Sequence, residues 1–375
     1  MKKDAAIYVA GHQGMVGSAI ARSLARAGYT NIVTRGRREL DLTRQATVES
    51  FFRAVRPEYV FLAAAKVGGI WANQSLPAEF IFNNLAIQTN VLHSAYESGV
   101  KQLLFLGSSC IYPRECPQPM AEEHLLTGPL ESTNRPYALA KIAGIEMCRA
   151  YNRQYGTRFL AVMPTNLYGP RDNFDLTSSH VLPALIRKFH LAKLAAAGDM
   201  DGIARDVACC GPLPDSFRRG LGVRQAGSRW EPADTAREGA GVQVELWGTG
   251  AARREFLHVD DMAAACLYVM TRDEQCPLVD HAETDAAGGM PGEALKPFYN
   301  VGSGKDLTIR ELTRTISRVV GYVGAVRWDA SKPDGTPRKL LDTHAMQQLG
   351  WRPEISLTQG IAQTYDWYRE RVGQW

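Results

Sequence analysis

The fold is decided by Ala5-Ala6-Ile7-Tyr8-Val9-Ala10-Gly11-His12-Gln13-Gly14-Met15-Val16-Gly17. The residues before Gly11 are mostly apolar, which predicts a short strand buried in a parallel sheet. The apolar pattern from Ser18 to Gly28 has the period of a helix, so the glycine-rich turn connects a strand to a helix. Amides at the start of such a helix point towards a pyrophosphate group. The stretch therefore predicts a dinucleotide site rather than a bare turn, although its Gly-x-x-Gly-x-x-Gly spacing differs from the commoner Gly-x-Gly-x-x-Gly.

Strands and helices alternate along the first half of the chain. Predicted strands cover residues 31–34, 59–62, 102–106 and 159–163, and predicted helices cover 45–55 and 78–98. This alternation predicts a doubly wound parallel sheet, in which ligands bind at the carboxyl ends of the strands. The later chain predicts a strand at 242–247, a helix at 261–270 and a capping box at 308–311. Because it has no second glycine turn, we expect it to form a smaller lobe.

Three arginines, Arg35, Arg37 and Arg38, follow the second predicted strand with no acidic residue among them. An NAD site usually has a carboxylate here for the ribose 2′-hydroxyl, whereas an NADP site needs cations for the 2′-phosphate. The arginines therefore favour NADP, and a solvated basic loop is the alternative interpretation. Asp41 either caps the helix that we expect to start near Thr43 or contacts the adenine.

Ser108 and Cys110 follow the predicted strand 102–106, on the ligand side of the sheet. Tyr137 and Lys141 come next in the chain and are four residues apart, so they share one face of a helix. We expect the Lys141 ammonium to lower the pKa of the Tyr137 phenol from its usual value of about 10, giving a proton donor usable near neutral pH. The spacing alone also fits a ring packed under a long lysine side chain. The upstream hydroxyl and glycine turn favour the catalytic interpretation.

The composition is that of a globular chain, with 375 residues, 45% of them hydrophobic and 22% charged. A net charge of +4 is too small to indicate nucleic-acid binding. No apolar run has the length of a membrane span and the N-terminus leads directly into a strand, so we expect neither a membrane partner nor a signal peptide. The seven cysteines form no Cys-x-x-Cys pair and are odd in number, which favours a cytoplasmic location without a disulfide framework or a metal site.

Five separated blocks carry a resemblance to a known family. They cover residues 11–20, 106–113, 163–174, 254–262 and 330–339. On these blocks the chain resembles the extended short-chain dehydrogenase/reductase family and, within it, the GDP-L-fucose synthase family. The resemblance covers nearly the whole chain except residues of about 194–240. It implies a Rossmann-type doubly wound parallel sheet that binds NADP, over residues 1–165 with later segments crossing back, and a smaller C-terminal α/β lobe for the nucleotide sugar, over 166–375.

The resemblance implies an activity and the residues that perform it. The activity is epimerisation at C3 and C5 and NADPH-dependent reduction at C4 of GDP-4-keto-6-deoxy-D-mannose, giving GDP-L-fucose, by a homodimer. The family's serine, tyrosine and lysine reduce the ketone, and they fall on Ser108, Tyr137 and Lys141. The family's cysteine and later histidine exchange the C3 and C5 protons, and they fall on Cys110 and His180. Protons beside a carbonyl become labile when its oxygen accepts hydrogen bonds, so one oxyanion site serves all three steps.

The resemblance also implies two sets of binding residues. The cofactor set is Gly11, His12, Gln13, Gly14, Met15, Val16, Gly17, Arg35, Arg37, Arg38, Asp41, Leu42, Leu106, Gly107, Ser108, Ser109, Lys141, Pro164, Thr165, Asn166, Leu167 and His180. The nucleotide-sugar set is Lys188, Trp247, Arg254 and Asp334. Trp247 would offer an aromatic face, and Arg254 a bidentate fork for phosphate.

Simpler interpretations stay open for three of these residues. Cys110 could be a small buried apolar residue, His180 could cap a helix, and Trp247 could be a core aromatic. Two other activities also stay open. One is that of another extended-family nucleotide-sugar enzyme, a 4-epimerase or a 4,6-dehydratase, and the other is that of a cofactor-binding regulator without catalysis. Net consumption of NADPH separates the proposed activity from the first, and the intact serine, tyrosine and lysine disfavour the second.

Two features depart from the family pattern. The family commonly has an arginine where this chain has Gln13, so one cation expected near the 2′-phosphate is missing. The stretch of about residues 194–240 replaces a much shorter connection and shows little hydrophobic periodicity. We expect it to be an exposed, mobile insertion, which could cover the substrate or alter an oligomer surface.

Overall fold

A six-stranded parallel sheet lies at the centre of the larger part of the chain. The computed structural model describes residues 1–227, 229–233, 241–272, 298–332 and 334–374, apart from the side chains of Ile70 and Trp71. In spatial order the strands are β11 (Phe298–Val301), β5 (Phe159–Pro164), β4 (Gln102–Leu106), β3 (Tyr59–Leu62), β1 (Ile7–Ala10) and β2 (Ile32–Val33). Every neighbouring pair is parallel. The predicted doubly wound sheet is confirmed.

Helices cover both faces of this sheet. One face carries α1 (Met15–Arg26) and α9 (Val259–Thr271), and the other carries α2 (Gln45–Val55), α4 (Pro77–Glu97) and α5 (Arg135–Tyr155). Alternate residues of β1 enter the two cores, because Ile7 and Val9 pack with the first group and Tyr8 and Ala10 with the second. Burial on both faces explains why these strands have continuous apolar sequences. The same part of the chain also contains two short helices, α3 (Ile70–Ser75) and α11 (His344–Gln348).

Most predicted element boundaries agree with the structure. The strands at 59–62 and 102–106 and the helix at 45–55 have the predicted ends, and the helix predicted at 78–98 is α4. The helix expected near Thr43 begins at Gln45, with Arg44 at its N-cap. The predicted capping box is also present, between Thr308 and Glu311.

The chain divides into two compact units. Unit 1 comprises Met1–Leu167, Glu255–Lys305 and Leu340–Glu354, and unit 2 comprises Tyr168–Arg254, Asp306–Lys339 and Ile355–Trp375. The helices of unit 2 are α6 (Val181–Ala196), α7 (Met200–Cys210), α8 (Asp215–Leu221), α10 (Ile309–Val320) and α12 (Leu357–Gly373). Its strands include β7 (Val223–Ala226), β8 (Arg229–Pro232), β9 (Gln243–Trp247), β12 (Asp306–Thr308), β13 (Ala325–Asp329) and β14 (Arg338–Lys339). Two strands, β6 (Asn166–Tyr168) and β10 (Arg253–His258), contain residues of both units.

The expectation of an exposed insertion is wrong for the described part of residues 194–240. This part forms α7, α8 and the antiparallel hairpin of β7 and β8. Ile203, Asp206 and Cys210 are buried at helical spacing along α7, and Phe217 is buried in α8. One of these buried positions is an aspartate, so a pattern of apolar residues alone does not reveal the buried face of α7. Asp206 is buried because it pairs with an arginine of α6.

None of the described helices combines the length and the hydropathy that crossing a membrane requires.

Candidate functional site

The turn after β1 has no room for a side chain at two of its glycines, Gly11 and Gly17. Gly11 has a φ of +84°, and a Cβ there would lie 2.7 Å from the Ala64 amide nitrogen. A Cβ on Gly17 would overlap the Gly11 carbonyl, because the first turn of α1 lies directly beside the loop. β1 and β3 are neighbours although β2 lies between them in sequence. The turn is therefore at the switch point of the sheet, where ligands bind in doubly wound folds.

The N-terminus of α1 fits a pyrophosphate. Gly14 is its N-cap and offers no side chain to the first amides of the helix. In the same turn, His12 Nδ1 is buried and makes no hydrogen bond in the described structure. Amide donors and an imidazole nitrogen without a partner match the needs of a bound diphosphate.

The predicted 2′-phosphate cluster lies beside the glycine turn. Arg35, Arg37 and Arg38 are all exposed. The Gln13 amide nitrogen lies 3.3 Å from the position of a Cβ on Gly36, between the first two arginines. The loop beside the turn therefore carries three exposed arginines, which fits a phosphorylated ribose.

Asp41 stabilises the turn before α2. Its carboxylate accepts hydrogen bonds from the Thr43 amide at 3.0 Å and the Thr43 hydroxyl at 2.8 Å. These bonds lower the pKa of the Asp41 carboxyl. Asp41 is thus a capping residue of a turn rather than of α2, and its contact with an adenine stays a prediction, as does the binding role of the adjacent buried Leu42.

Ser108 and Cys110 share one short turn at the carboxyl end of β4. Ser108 is the N-cap of a single 3₁₀ turn over Ser109–Ile111, and its Oγ accepts from the Cys110 amide at 3.4 Å. Cys110 is only 8% exposed. A Cβ on Gly107 would overlap the Met163 thioether of β5, so the absence of a side chain at Gly107 lets this methionine pack against the turn. The turn places a hydroxyl and a thiol together at the ligand side of the sheet.

Tyr137 and Lys141 lie in the first turns of α5, beside the same strand end. Tyr137 hydrogen-bonds to the Ser108 side chain, and its ring packs against Phe80 with centroids 6.3 Å apart at 84°. The Lys141 Nζ is buried and donates to the Leu106 carbonyl at 2.7 Å. The structure therefore brings the predicted serine, tyrosine and lysine together.

The predicted lowering of the Tyr137 pKa is not seen. Burial raises this pKa above its usual value, and the hydrogen bond to Ser108 only partly offsets the increase. The Lys141 Nζ lies 5.7 Å from the Tyr137 ring centroid and donates to the Leu106 carbonyl, and it does not offset the effect of burial on the phenol. Burial lowers the pKa of Lys141 itself to about 8. The turn that carries Cys110 contacts α5, and a negative charge on this cysteine would raise the pKa of both Tyr137 and Lys141.

Sequence reasoning missed the residues that anchor the Ser108–Cys110 turn. The buried Tyr112 hydroxyl donates to the side-chain Oδ1 of Asn300 at 2.6 Å, and the backbone amide of Asn300 donates to Glu122 Oε1 at 2.9 Å. Asn300 is fully buried within the otherwise apolar strand β11. A polar residue in an apolar strand was the available signal, because such a residue needs partners.

Glu255 is a second residue that sequence reasoning missed. Its fully buried carboxylate accepts from the Gly304 amide at 2.7 Å and the Leu341 amide at 3.0 Å. Its backbone carbonyl accepts from Thr165 Oγ1 at 3.3 Å and Asn166 Nδ2 at 2.9 Å. Glu255 therefore joins two of the predicted cofactor residues to two other loops of unit 1.

His180 belongs to unit 2 and is the N-cap of α6. Its side chain makes no capping hydrogen bond, so the alternative of a capping imidazole has no support in the structure. Desolvation by its surroundings lowers the pKa of the ring, which favours the neutral imidazole. A neutral ring at neutral pH can accept a proton, and the role of His180 in catalysis and in cofactor binding stays a prediction.

The predicted nucleotide-sugar residues meet around the end of β9. Trp247 is 71% exposed, so the alternative of a core aromatic is wrong. The Asp334 carboxylate accepts from the Thr249 amide at 3.0 Å. The Arg254 Nη1 donates to the Thr336 carbonyl at 2.6 Å, and its charge interacts with Asp334.

Lys188 reaches the same strand from α6. Its Nζ is 3.5 Å from the Glu245 carbonyl oxygen of β9. Burial lowers the pKa of Lys188, whereas the nearby Glu245 carboxylate raises it. The predicted aromatic face and the predicted cations are therefore present in one part of unit 2.

Comparison with known proteins identifies the family. The model of the NAD dependent epimerase/dehydratase family matches residues 7–206 and 228–279. The chain belongs to this family. Among members of the NAD dependent epimerase/dehydratase family, GDP-L-fucose synthase 1 of Arabidopsis thaliana is 49% identical over 370 residues, with 99% of this chain and 95% of that protein covered. GDP-L-fucose synthase of Escherichia coli (strain K12) is 48% identical over 364 residues, with 97% and 96% covered.

A solved structure is similar over the same length. The GDP-mannoheptose C4 reductase from Campylobacter jejuni, solved with NADP bound, has a TM-score of 0.79 and 37% identity, and the match covers 98% of this chain and 99% of that chain. Membership in the NAD dependent epimerase/dehydratase family and the glycine cradle together support a nicotinamide nucleotide cofactor.

Proposed function

We propose that this chain converts GDP-4-keto-6-deoxy-D-mannose into GDP-L-fucose, by epimerisation at C3 and C5 and NADPH-dependent reduction at C4. The observation that carries the proposal is the buried Cys110 thiol, which lies in the same turn as Ser108 and next to α5, the helix of Tyr137 and Lys141. Reduction of the ketone needs only Ser108, Tyr137 and Lys141. A thiol beside them adds an acid–base group for the carbons next to the ketone. The names of the Arabidopsis and E. coli relatives support the same substrate and product.

The proposed steps follow from the groups around the ketone. Ser108 and Tyr137 hydrogen-bond the C4 oxygen, which stabilises the enolate that forms when a proton leaves C3 or C5. Cys110 and His180 are proposed to remove a proton from one face of each carbon and return one to the other. NADPH held by the glycine turn would supply the hydride that C4 accepts. Tyr137 then donates its proton to the C4 oxygen, and its raised pKa is consistent with an acid that is protonated before this step.

NADP is the proposed cofactor rather than NAD. Arg35, Arg37 and Arg38 lie exposed beside the glycine turn, and the solved reductase at 37% identity has NADP bound. Gln13 lies where an additional cation would face the same loop.

Replacing Arg35, Arg37 and Arg38 together with serine should remove the preference for NADPH. Each guanidinium can contribute a charge-assisted bond to the 2′-phosphate, and such a bond contributes about 1.5–3 kcal/mol. We therefore expect kcat/KM for NADPH to fall by at least about 100-fold, with a change of less than about threefold for NADH, which has no 2′-phosphate. The matched control is a variant in which three other exposed arginines, Arg314, Arg318 and Arg352, become serine. An equal loss with both cofactors would argue against the NADP assignment.

A homodimer is proposed through α4 and α5. Phe82 on α4 is 66% exposed, and Leu139 and Tyr155 on α5 are 44% and 46% exposed. α4 and α5 pack against each other, and large apolar side chains exposed on such neighbouring helices are typical of an interface. We expect light scattering of purified protein to give twice the mass of 41.3 kDa, and replacement of Phe82 by aspartate to give the mass of one chain. A single-chain mass for the unaltered protein would refute the dimer. The cytoplasmic location stays a prediction.

A direct experiment separates the proposal from its alternatives. Purified protein is incubated with GDP-4-keto-6-deoxy-mannose and NADPH in deuterated water. We expect stoichiometric loss of absorbance from NADPH, deuterium at C3 and C5, and GDP-L-fucose as the product. A 4-epimerase or a 4,6-dehydratase would consume no net NADPH, and a regulator would bind NADPH without turnover.

A further inference from the structure

Part of the insertion packs directly on the helix that carries Lys188. The family match stops at residue 206 and resumes at residue 228, so residues 207–227 are outside it. These residues include the end of α7, all of α8 and β7. α8 contacts both α6 and β9. The segment therefore touches the two elements that hold the predicted nucleotide-sugar residues Lys188 and Trp247.

One contact is made through Arg187, the residue before Lys188. Arg187 is fully buried, and its Nε donates to Asp206 at 2.8 Å. Its Nη1 donates to the Cys210 carbonyl at 2.8 Å, and its Nη2 donates to the Gly211 carbonyl. Two of its acceptors therefore belong to residues 207–227. Because a buried guanidinium needs all its donors satisfied, this segment helps to fix α6 at the position next to Lys188.

The second contact is made with Lys188 itself. Its Nζ lies 5.6 Å from the ring centroid of Phe217, which is only 6% exposed in α8. The same Nζ is 3.5 Å from the Glu245 carbonyl of β9. α8 lies close to this strand because it has glycine at position 220, where a Cβ would be 3.0 Å from the Gln243 carbonyl. An aromatic face and a carbonyl oxygen thus hold the ammonium group from two sides.

We propose that residues 207–227 position Lys188 for the diphosphate of the nucleotide sugar, and that Phe217 is the positioning residue. The proposal rests on the proposed function, because it assigns the partner of Lys188. A free lysine side chain loses rotamer entropy when it binds a phosphate, and this loss weakens binding. Contact with Phe217 removes part of that freedom before the ligand arrives. The segment therefore increases affinity for the nucleotide without touching it.

The test uses the full chain and GDP as the probe. Replacing Phe217 by leucine keeps an apolar side chain but removes the aromatic face, and replacing it by tyrosine keeps the face. We expect the leucine variant to raise the Kd for GDP and the KM for the nucleotide sugar by about three- to tenfold, with kcat and the KM for NADPH within about twofold. The tyrosine variant should bind GDP as the unaltered protein does. Trp230 to leucine is the control, since it removes another buried aromatic from the same insertion.

A double-mutant cycle separates positioning from a general loss of packing. In a Lys188→Met background, Phe217→Leu should cause no further loss of GDP affinity, because the residue through which it acts is absent. Phe217→Met, whose unbranched side chain adapts to irregular sites, replaces the leucine variant if that protein does not fold. Unchanged GDP affinity in the Phe217 variant, or an equal loss with and without Lys188, would overturn the inference. If the unaltered protein binds NADPH but not GDP, the proposed function fails instead.

Discussion

Replacing Tyr137 by phenylalanine should lower kcat for ketone reduction by about 100- to 10,000-fold, the usual contribution of a positioned general acid. Hydride transfer to C4 produces an alkoxide, and Tyr137 is the group beside Ser108 that can protonate it. Phenylalanine keeps the edge-to-face contact with Phe80 at a centroid distance of 6.3 Å, so the loss reports the missing hydroxyl. The measurement is single-turnover oxidation of NADPH with saturating GDP-4-keto-6-deoxy-mannose.

The matched control is Tyr151→Phe on the same helix. The Tyr151 hydroxyl lies 2.9 Å from His93 Nδ1, in an aromatic cluster formed by α4 and α5. Removing it deletes one partly exposed hydrogen bond, which contributes about 1 kcal/mol to stability, and leaves the C4 oxygen untouched. We expect its kcat to stay within about twofold of the unaltered protein. If Tyr137→Phe retains similar activity, another group protonates the alkoxide and the assignment of Tyr137 fails.

The parallel sheet was predictable because its signals are local. The apolar run before Gly11, the period of α1 and the turn between them are all written in consecutive residues. The Tyr137 and Lys141 spacing similarly reports one helix face. Their approach to Ser108 followed from the rule that ligands meet the carboxyl ends of parallel strands.

What the sequence did not reveal depends on partners far apart in the chain. Asp206 lies on the buried face of α7, where its carboxylate pairs with the buried Arg187. Glu255 interacts with loops more than forty residues further on, and no local pattern indicates such partners. The pKa of Tyr137 was predicted in the wrong direction because the spacing reports that Lys141 is near but not that the phenol is buried. Burial and long-range pairing require the folded structure.

The Cys110→Ser variant should lose exchange at C3 and C5 while it continues to reduce the ketone. A thiol releases and accepts a proton far more readily than a serine hydroxyl at neutral pH, so serine preserves size but not acid–base function. We expect the rate of deuterium incorporation from solvent to fall by at least about 100-fold. NADPH oxidation should continue, because Ser108, Tyr137 and Lys141 are unaltered. The product should then retain the original configuration at both carbons.

Cys116→Ser is the control for this variant. Cys116 follows in the same loop region and is partly buried, and burial raises the pKa of its thiol. It lies outside the turn formed by Ser109–Ile111, so we expect normal exchange and normal product. Cys110→Ser is predicted to separate two reactions that share one ketone, since exchange needs the thiol and reduction needs the phenol. If both reactions slow by the same factor, Cys110 only supports the turn that carries Ser108. If exchange at C3 and C5 proceeds unchanged, its proton passes through another residue and Cys110 is a buried structural thiol.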